Sequence, residues 1–404
     1  MALPWEALLH QSSRYLQSSA IRDLLRVTAQ PDVISFAGGL PAAELFPVEG
    51  MREAFDAVLR TDGAAALQYG PTEGHAPLRA FLCDRLSRWG IRASPEEVLI
   101  TTGSQQALDL LGKILITSGT PMVVEAPSYV GALQAFSVRE PRYIPVAMDA
   151  AGLVVDQLRA VLERGERPAM LYTVATFQNP TGVTMSLERR EQLLALCAQY
   201  ELPIVEDNPY GELRYEGQEI LPMRGLPGGE ETIYLGTFSK IMAPGLRLGW
   251  VVAPRPVIAQ MTLAKQAADL HTDSLAQRAI QYHFTHADVE SHITRLRQVY
   301  GERRATMLAG LERSFPEGVR WTRPEGGLFL WVTLPEGMDS KVVLRDALAH
   351  NVAFVPGYAF HVDGTGTNTL RLNFSHAKPD RIEEGVRRLA MVLEDHLQSE
   401  INRR

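Results

Sequence analysis

The sequence predicts an α/β fold: a large domain with a mostly parallel sheet flanked by helices, followed by a smaller α+β domain. Three observations carry that expectation. Short apolar runs alternate with segments of helical period through the middle of the chain, and such alternation sets parallel strands side by side with helices on both faces. After residue 286 the rhythm changes to a long polar helix, then strands, then a last helix. The chain has 404 residues, more than the size at which one hydrophobic core keeps growing, so two domains are expected.

The elements follow in order. The stretch to Gln30 reads as helical, with Ile21, Leu24 and Leu25 at i, i+3, i+4, and stops at Pro31. Strands are expected at Val98–Thr101, Pro121–Glu125, Ala169–Val174, Ile204–Glu206 and Thr232–Gly236. Helices are expected between them at Gln105–Leu115, Val155–Arg164 and Leu187–Tyr200. Beyond them come a polar helix from Asp288 to Leu311 and strands at Gly327–Leu334, Ala353–Val355 and Thr369–Asn373. The final helix carries Ile382, Val386, Leu389 and Leu393 on one stripe. These elements divide the chain into an N-terminal segment (1–45), a large domain (46–286) and a small C-terminal domain (287–404).

Composition narrows the function. The chain is 46% apolar and 22% charged, as in a soluble globular protein. A net charge of -7 argues against a nucleic-acid partner, which needs a clustered basic surface. Cys83 and Cys197 are the only cysteines, giving neither a disulfide framework nor zinc spacing; two buried, reduced thiols are expected. The N-terminus lacks a basic region followed by an apolar one, and no run approaches a membrane span, so a cytoplasmic protein is expected. His283 and His286 have no thiol nearby, which leaves no metal site, and Asp288 reads as a helix start. Asp363-Gly364-Thr365-Gly366-Thr367 lacks the lysine of a phosphate-binding loop.

Ligands of open parallel sheets bind beyond the carboxyl ends of the strands. Asn179, Asp207 and Lys240 each lie at or just past such an end, so they are expected to converge. An amide, a carboxylate and a lysine on one sheet edge suit a pyridine aldehyde cofactor. Lys240, in Thr237-Phe238-Ser239-Lys240, would need a neutral amine form, which burial and cationic neighbours favour. Taken singly it is as readily an exposed lysine opening a loop. Thr237 and Ser239 offer hydroxyls to a phosphate, and Arg247 offers a fork for the same dianion. Asp207 beside the ring nitrogen would keep it protonated; alone, it could equally cap a turn. Tyr210 and Asn179, the latter in Asn179-Pro180-Thr181-Gly182, can donate to the ring oxygen, although that tetrapeptide alone is a turn signal. Ser104, Gln105 and Gln106 open a helix after a strand, where an anion can dock, and Ser104 is also a plain helix cap. Tyr129 is positioned to stack on the ring, or to be a core tyrosine. Arg371, between apolar residues on a predicted strand, could bind a substrate carboxylate or form a structural ion pair.

Together these segments resemble the fold type I, class I/II aminotransferases, from Ser35-Phe36-Ala37-Gly38-Gly39-Leu40-Pro41 through Asn368-Thr369-Leu370-Arg371-Leu372. The resemblance implies pyridoxal 5'-phosphate carried by Lys240 and a homodimer with active sites at the subunit interface. It further implies that Tyr69 reaches the partner's phosphate, that Asn179 and Arg371 hold the substrate α-carboxylate, and that Gly39 lines the pocket. Thr101–Leu110 and Val352–Gly357 look most like the 2-aminoadipate and kynurenine aminotransferases. In that subgroup the N-terminal helix covers the substrate, so Arg22 could read a distal carboxylate; a solvated arginine paired with Asp23 is the other reading. The activity implied is ping-pong transfer of an amino group from an L-amino acid of 2-aminoadipate, leucine or aromatic type to 2-oxoglutarate. Lys240 would act as base and acid at Cα. A lyase or decarboxylase on the same fold is the alternative. So is a ligand-sensing regulator, against which stand the short N-terminal segment and the net charge.

Overall fold

The computed structural model describes residues 32–401, together with Leu3, Trp5, Leu9 and Leu24. The helix expected before Pro31 therefore lies outside the described residues. The large domain is organised on an eight-stranded sheet of order β2-β9-β8-β7-β6-β3-β4-β5. Its strands are β2 (Val98–Thr101), β3 (Pro121–Ala126), β4 (Arg142–Asp149), β5 (Gly152–Leu153), β6 (Leu171–Thr173), β7 (Ile204–Asp207), β8 (Ile233–Thr237) and β9 (Gly249–Val252). The two-residue β1 (Ile34–Ser35) precedes them.

The pairs β3–β4, β3–β6, β6–β7 and β7–β8 are parallel. Burial on both faces is why β3, β6, β7 and β8 read as short apolar runs, whereas β4 is partly exposed. Alternate side chains supply different cores: Val98, Ile100, Tyr234, Trp250 and Val252 join one cluster, and Leu99, Leu235 and Val251 the other. The connecting helices include α1 (Val48–Ala66), α2 (Ala76–Ser87), α3 (Ser104–Leu115), α4 (Val130–Ser137), α5 (Val155–Glu163) and α6 (Leu187–Gln199). After β9 come α7 (Arg255–Asp269) and α8 (Ser274–His286). Sequence periodicity left α1, α2, α4, α7 and α8 unread. It also missed β9, which runs antiparallel between β8 and β2.

α9 (Val289–Ser314) opens on Asp288, whose carboxylate accepts from the Ser291 N–H at 3.0 Å. The small domain carries an antiparallel sheet of order β10-β11-β14-β13: Arg320–Trp321, Phe329–Thr333, Thr369–Asn373 and Val355–Pro356. α10 (Ser340–Ala349) and α11 (Pro379–Ile401) pack against it. The single strand expected at Ala353–Val355 is two. β12 (Val352–Ala353) pairs in parallel with β1, and β13 turns away to pair with β14.

The change of core falls inside α9. Val289, Ile293, Leu296 and Tyr300 belong to the large-domain cluster, whereas Met307, Leu308 and Leu311 belong to the small-domain one. The N-terminal segment is also shared, since Ile34 and Phe36 join the small-domain core and Ala42 and Leu45 the large. Cys197 is buried but Cys83 only half-buried, which corrects the expectation of two buried thiols. Among the described residues no helix is long and apolar enough to cross a membrane, and no cluster of His, Cys, Asp and Glu could hold a metal.

Candidate active site

Because β9 is antiparallel to both neighbours, its first residue, Gly249, pairs with the last residues of β2 and β8, Thr101 and Thr237. The carboxyl ends of β2, β3, β6, β7 and β8 therefore share one edge of the sheet. Onto that edge open the turns carrying Ser104, Tyr129, Asn179, Asp207, Lys240 and Arg247. They line a cavity of about 420 Å³, together with Gly39, Gln105, Tyr210, Thr237, Ser239 and Arg371.

Lys240 follows β8 after a tight turn in which the Thr237 hydroxyl accepts from the Ser239 N–H at 3.1 Å. Its Nζ reaches across the cavity to the Gly39 carbonyl at 2.9 Å. The amine is enclosed except toward the cavity. Burial, and behind it the charges of Arg371 and Arg247, push its pKa down to about 8. A neutral lysine is thus accessible near physiological pH.

Asp207 closes β7 and is 2% exposed. Its Oδ2 accepts from the Tyr172 hydroxyl at 2.9 Å, whereas its Oδ1 is buried without a partner. Burial pushes its carboxyl up to about 7; the Tyr172 hydrogen bond opposes that, and the neighbouring Glu125 adds to it. On the facing wall Arg371 donates to Asn179 Oδ1 at 2.8 Å and to the Ala37 carbonyl at 2.7 Å, and Asn179 Nδ2 donates to the Tyr210 hydroxyl at 3.3 Å. The guanidinium lies over the Phe329 ring, 4.1 Å from its centre. It is 1% exposed, its Nε has no partner, and no carboxylate pairs with it among the described residues. A buried cation in that condition is costly unless a ligand anion completes it.

The third wall is an anion cup. Gly103, at φ +74°, caps α3, so Ser104 is the first helical residue and not the cap. The N–H groups of a first helical turn have no intrahelical acceptors and favour an anion. A Cβ on Gly103 would stand 2.5 Å from the Arg247 guanidinium, which explains the glycine: the guanidinium lies against bare backbone. Thr237 and Ser239, whose hydroxyls are hydrogen-bonded to each other at 2.9 Å, also line the cavity.

Two expected residues stand elsewhere. The Gln106 side chain faces away from the cavity. Its Oε1 accepts from the Thr102 N–H at 2.8 Å and from Lys265 at 2.7 Å, and its Nε2 donates to Asp269 at 2.6 Å. It braces the turn before the cup instead of lining it, because successive helical residues point about 100° apart. Tyr69 is 79% exposed and packs edge-on against His271, outside its own chain's cavity. Arg22 lies outside the described residues. Sequence reasoning did not pick out Tyr172, Glu125 or Phe329. Each sits inside a strand, where an aromatic or a buried acid reads as core; only the register of neighbouring strands reveals what it touches.

This set fits pyridoxal phosphate. The unpartnered Asp207 oxygen matches a ring N–H, the depressed lysine amine matches an aldehyde, and the cup with Arg247 matches a phosphate dianion. Fold and site together define a pyridoxal-phosphate-dependent enzyme of fold type I. Residues 31–389 match the family model for class I and II aminotransferases, and the chain belongs to that family. It is a pyridoxal-phosphate-dependent aminotransferase. It is 44% identical over 98% of its length to an aromatic-amino-acid aminotransferase of Thermococcus litoralis, covering 96% of that protein. It superposes on the α-aminoadipate aminotransferase of Thermus thermophilus, crystallised with N-(5'-phosphopyridoxyl)-L-leucine, at a TM-score of 0.91 and 44% identity, over 98% of this chain and 100% of the other. For the kynurenine aminotransferase of Pyrococcus horikoshii the TM-score is 0.94 at 44% identity, over 98% of each chain.

Proposed function

We propose that the protein moves the amino group of an L-amino acid of 2-aminoadipate, leucine or aromatic type to 2-oxoglutarate, in two half-reactions that share one site. The observation that carries the reading is Arg371, a buried guanidinium with no carboxylate partner among the described residues, across the cavity from the Lys240 amine. A substrate α-carboxylate supplies the missing anion. Asn179, already bonded to Arg371 at 2.8 Å, orients that carboxylate, and Gly39 closes the pocket beside it.

Bound pyridoxal phosphate supplies an aldehyde that condenses with amines and a ring that accepts the electron pair left when Cα–H breaks. Lys240 holds the cofactor at rest, and its freed Nζ takes the proton from the substrate Cα. Asp207 holds a proton at the ring nitrogen. Tyr210 and Asn179 donate toward the ring oxygen, Tyr129 covers the ring face, and Ser104, Gln105, Thr237, Ser239 and Arg247 receive the phosphate. Holding the carboxylate in place favours loss of the Cα proton over loss of carbon dioxide. The same reading takes the protein as a cytoplasmic homodimer in which the exposed Tyr69 reaches the partner's phosphate. The character of relatives acting on aromatic amino acids and α-aminoadipate supports the donor class; pocket shape sets the choice among donors.

The test is to add single L-amino acids to the holoenzyme without any oxo acid and follow the visible band of the lysine-bound cofactor. Its loss as the amine form appears, fastest with 2-aminoadipate, leucine or aromatic donors, and its return with 2-oxoglutarate, is the expected result. Lys240→Ala should abolish turnover. A band that no donor converts, or full activity in Lys240→Ala, overturns the reading.

A further inference from the structure

The Asp207 carboxylate sits in an enclosure that works against its charge. Burial raises its pKa, and Glu125 on β3 adds to the rise. Four phenols bear on it, Tyr129 at the start of α4, Tyr210 after β7, Tyr234 on β8 and Tyr172 on β6, and the cations Lys240, Arg247 and Arg371 line the same cavity. Only one of them bonds to it. Tyr172 OH donates to Oδ2 at 2.9 Å and makes no other hydrogen bond among the described residues. The ring behind that hydroxyl is fully buried and held edge-on by Phe136 at 5.8 Å, and its strand pairs directly with β7. The donor is therefore fixed by sheet register and packing before any ligand arrives.

We propose that Tyr172 is a positioning residue for the reaction: its hydroxyl grips Oδ2 of Asp207 and leaves Oδ1 aimed at the cofactor's ring nitrogen. The inference rests on the reading of Asp207 as that nitrogen's partner. Two features of the geometry support it. The Oδ1 atom is buried and unpartnered while Oδ2 is satisfied, so the two oxygens have separate tasks. Glu125 is occupied on its own side by the Thr173 hydroxyl at 2.5 Å and Gln178 Nε2 at 3.0 Å. It offers Asp207 no compensating donor. A single phenol thus opposes both burial and a nearby acid, and a hydrogen bond to a charged group is the strong kind.

The test uses the holoenzyme and apoprotein of Tyr172→Phe, Asp207→Asn and the double variant. Tyr172→Phe removes one oxygen and keeps the ring against Phe136. Three changes are expected. The apoprotein binds pyridoxal phosphate about ten-fold more weakly. The pH at which the visible band of the holoenzyme changes form rises by about one unit, because a less firmly held ring proton leaves less positive charge beside the lysine linkage. The kcat falls roughly ten- to hundred-fold with little change in KM. Adding Tyr172→Phe to Asp207→Asn should cost nothing further. Should Asp207→Asn lose affinity and shift the band while Tyr172→Phe does neither, the inference fails and the reading of Asp207 stands. Should Asp207→Asn itself change neither, that reading fails. A Tyr172→Phe loss that adds in full to Asp207→Asn marks a merely structural role and also overturns the inference. If the Phe variant does not fold, Tyr172→3-fluorotyrosine, a stronger donor of similar size, should move the band transition to lower pH; an unmoved transition refutes the proposal.

Discussion

Replacing Arg371 with lysine tests the proposed carboxylate site without removing its charge. The guanidinium has five N–H donors, of which the structure engages two, with Asn179 Oδ1 at 2.8 Å and the Ala37 carbonyl at 2.7 Å. Three remain, including the unpartnered Nε, enough for a two-point grip on a carboxylate. A lysine ammonium has three donors in a compact head and cannot satisfy Asn179, Ala37 and both carboxylate oxygens together. Each charge-assisted bond contributes about 1.5–3 kcal/mol. With one of two substrate bonds lost, and poorer geometry in the other, transition-state stabilisation should fall by about 2–3 kcal/mol, roughly 30- to 150-fold in kcat/KM. The assay is single-turnover conversion of the cofactor to its amine form, run with a good L-amino acid donor and with the corresponding amine lacking the carboxyl group. Arg371→Lys should slow the amino acid by that factor and leave the amine's slow rate nearly unchanged, which shrinks the preference for a carboxylate. A loss under about three-fold, or an equal loss with the amine, would show that Arg371 does not read the α-carboxylate.

Other consequences are measurable. The apoprotein should capture pyridoxal phosphate at a rate that rises about ten-fold per pH unit and levels off near pH 8, where the free Lys240 amine titrates. Below that value the amine is mostly protonated, so capture slows as pH falls; stopped-flow absorbance that climbs on past pH 9 toward the ordinary lysine range would contradict the enclosed amine. Gln106→Ala should lower stability by about 1–3 kcal/mol in a denaturant melt, since it strips Thr102 N–H and Lys265 of their shared acceptor. The same variant should loosen the cofactor through the turn it braces, and wild-type behaviour in both measurements would make that bracing irrelevant.

How far the sequence spoke for the site depended on where each residue stood. Lys240, Asp207 and Asn179 were legible because they follow apolar runs, and the rule that ligands gather at the carboxyl edge of a parallel sheet needs only strand order to bring them together. Arg371 stood out because a cation flanked by Leu370 and Leu372 on a strand demands a partner. Tyr172 lies on the eight-stranded sheet and touches Asp207, yet a tyrosine between Leu171 and Thr173 is what any buried strand contains, and only the pairing of β6 with β7 shows what its hydroxyl meets. Gln106 failed in the opposite direction. The run Ser104-Gln105-Gln106 resembles a cofactor motif as a unit, but a helix turns each side chain away from the last, so one glutamine lines the cavity and the next props the turn from behind. The same logic explains Ala353–Val355: its residues are apolar throughout and read as one strand, but the chain splits its hydrogen bonds between β1 and β14. That split ties the N-terminal segment to the strand bearing Arg371. Ala37, two residues past β1, supplies the carbonyl that the Arg371 guanidinium binds at 2.7 Å. The proposed carboxylate site thus draws on both the N-terminal segment and the small domain, and the β1–β12 pairing helps to place the carbonyl that Arg371 binds.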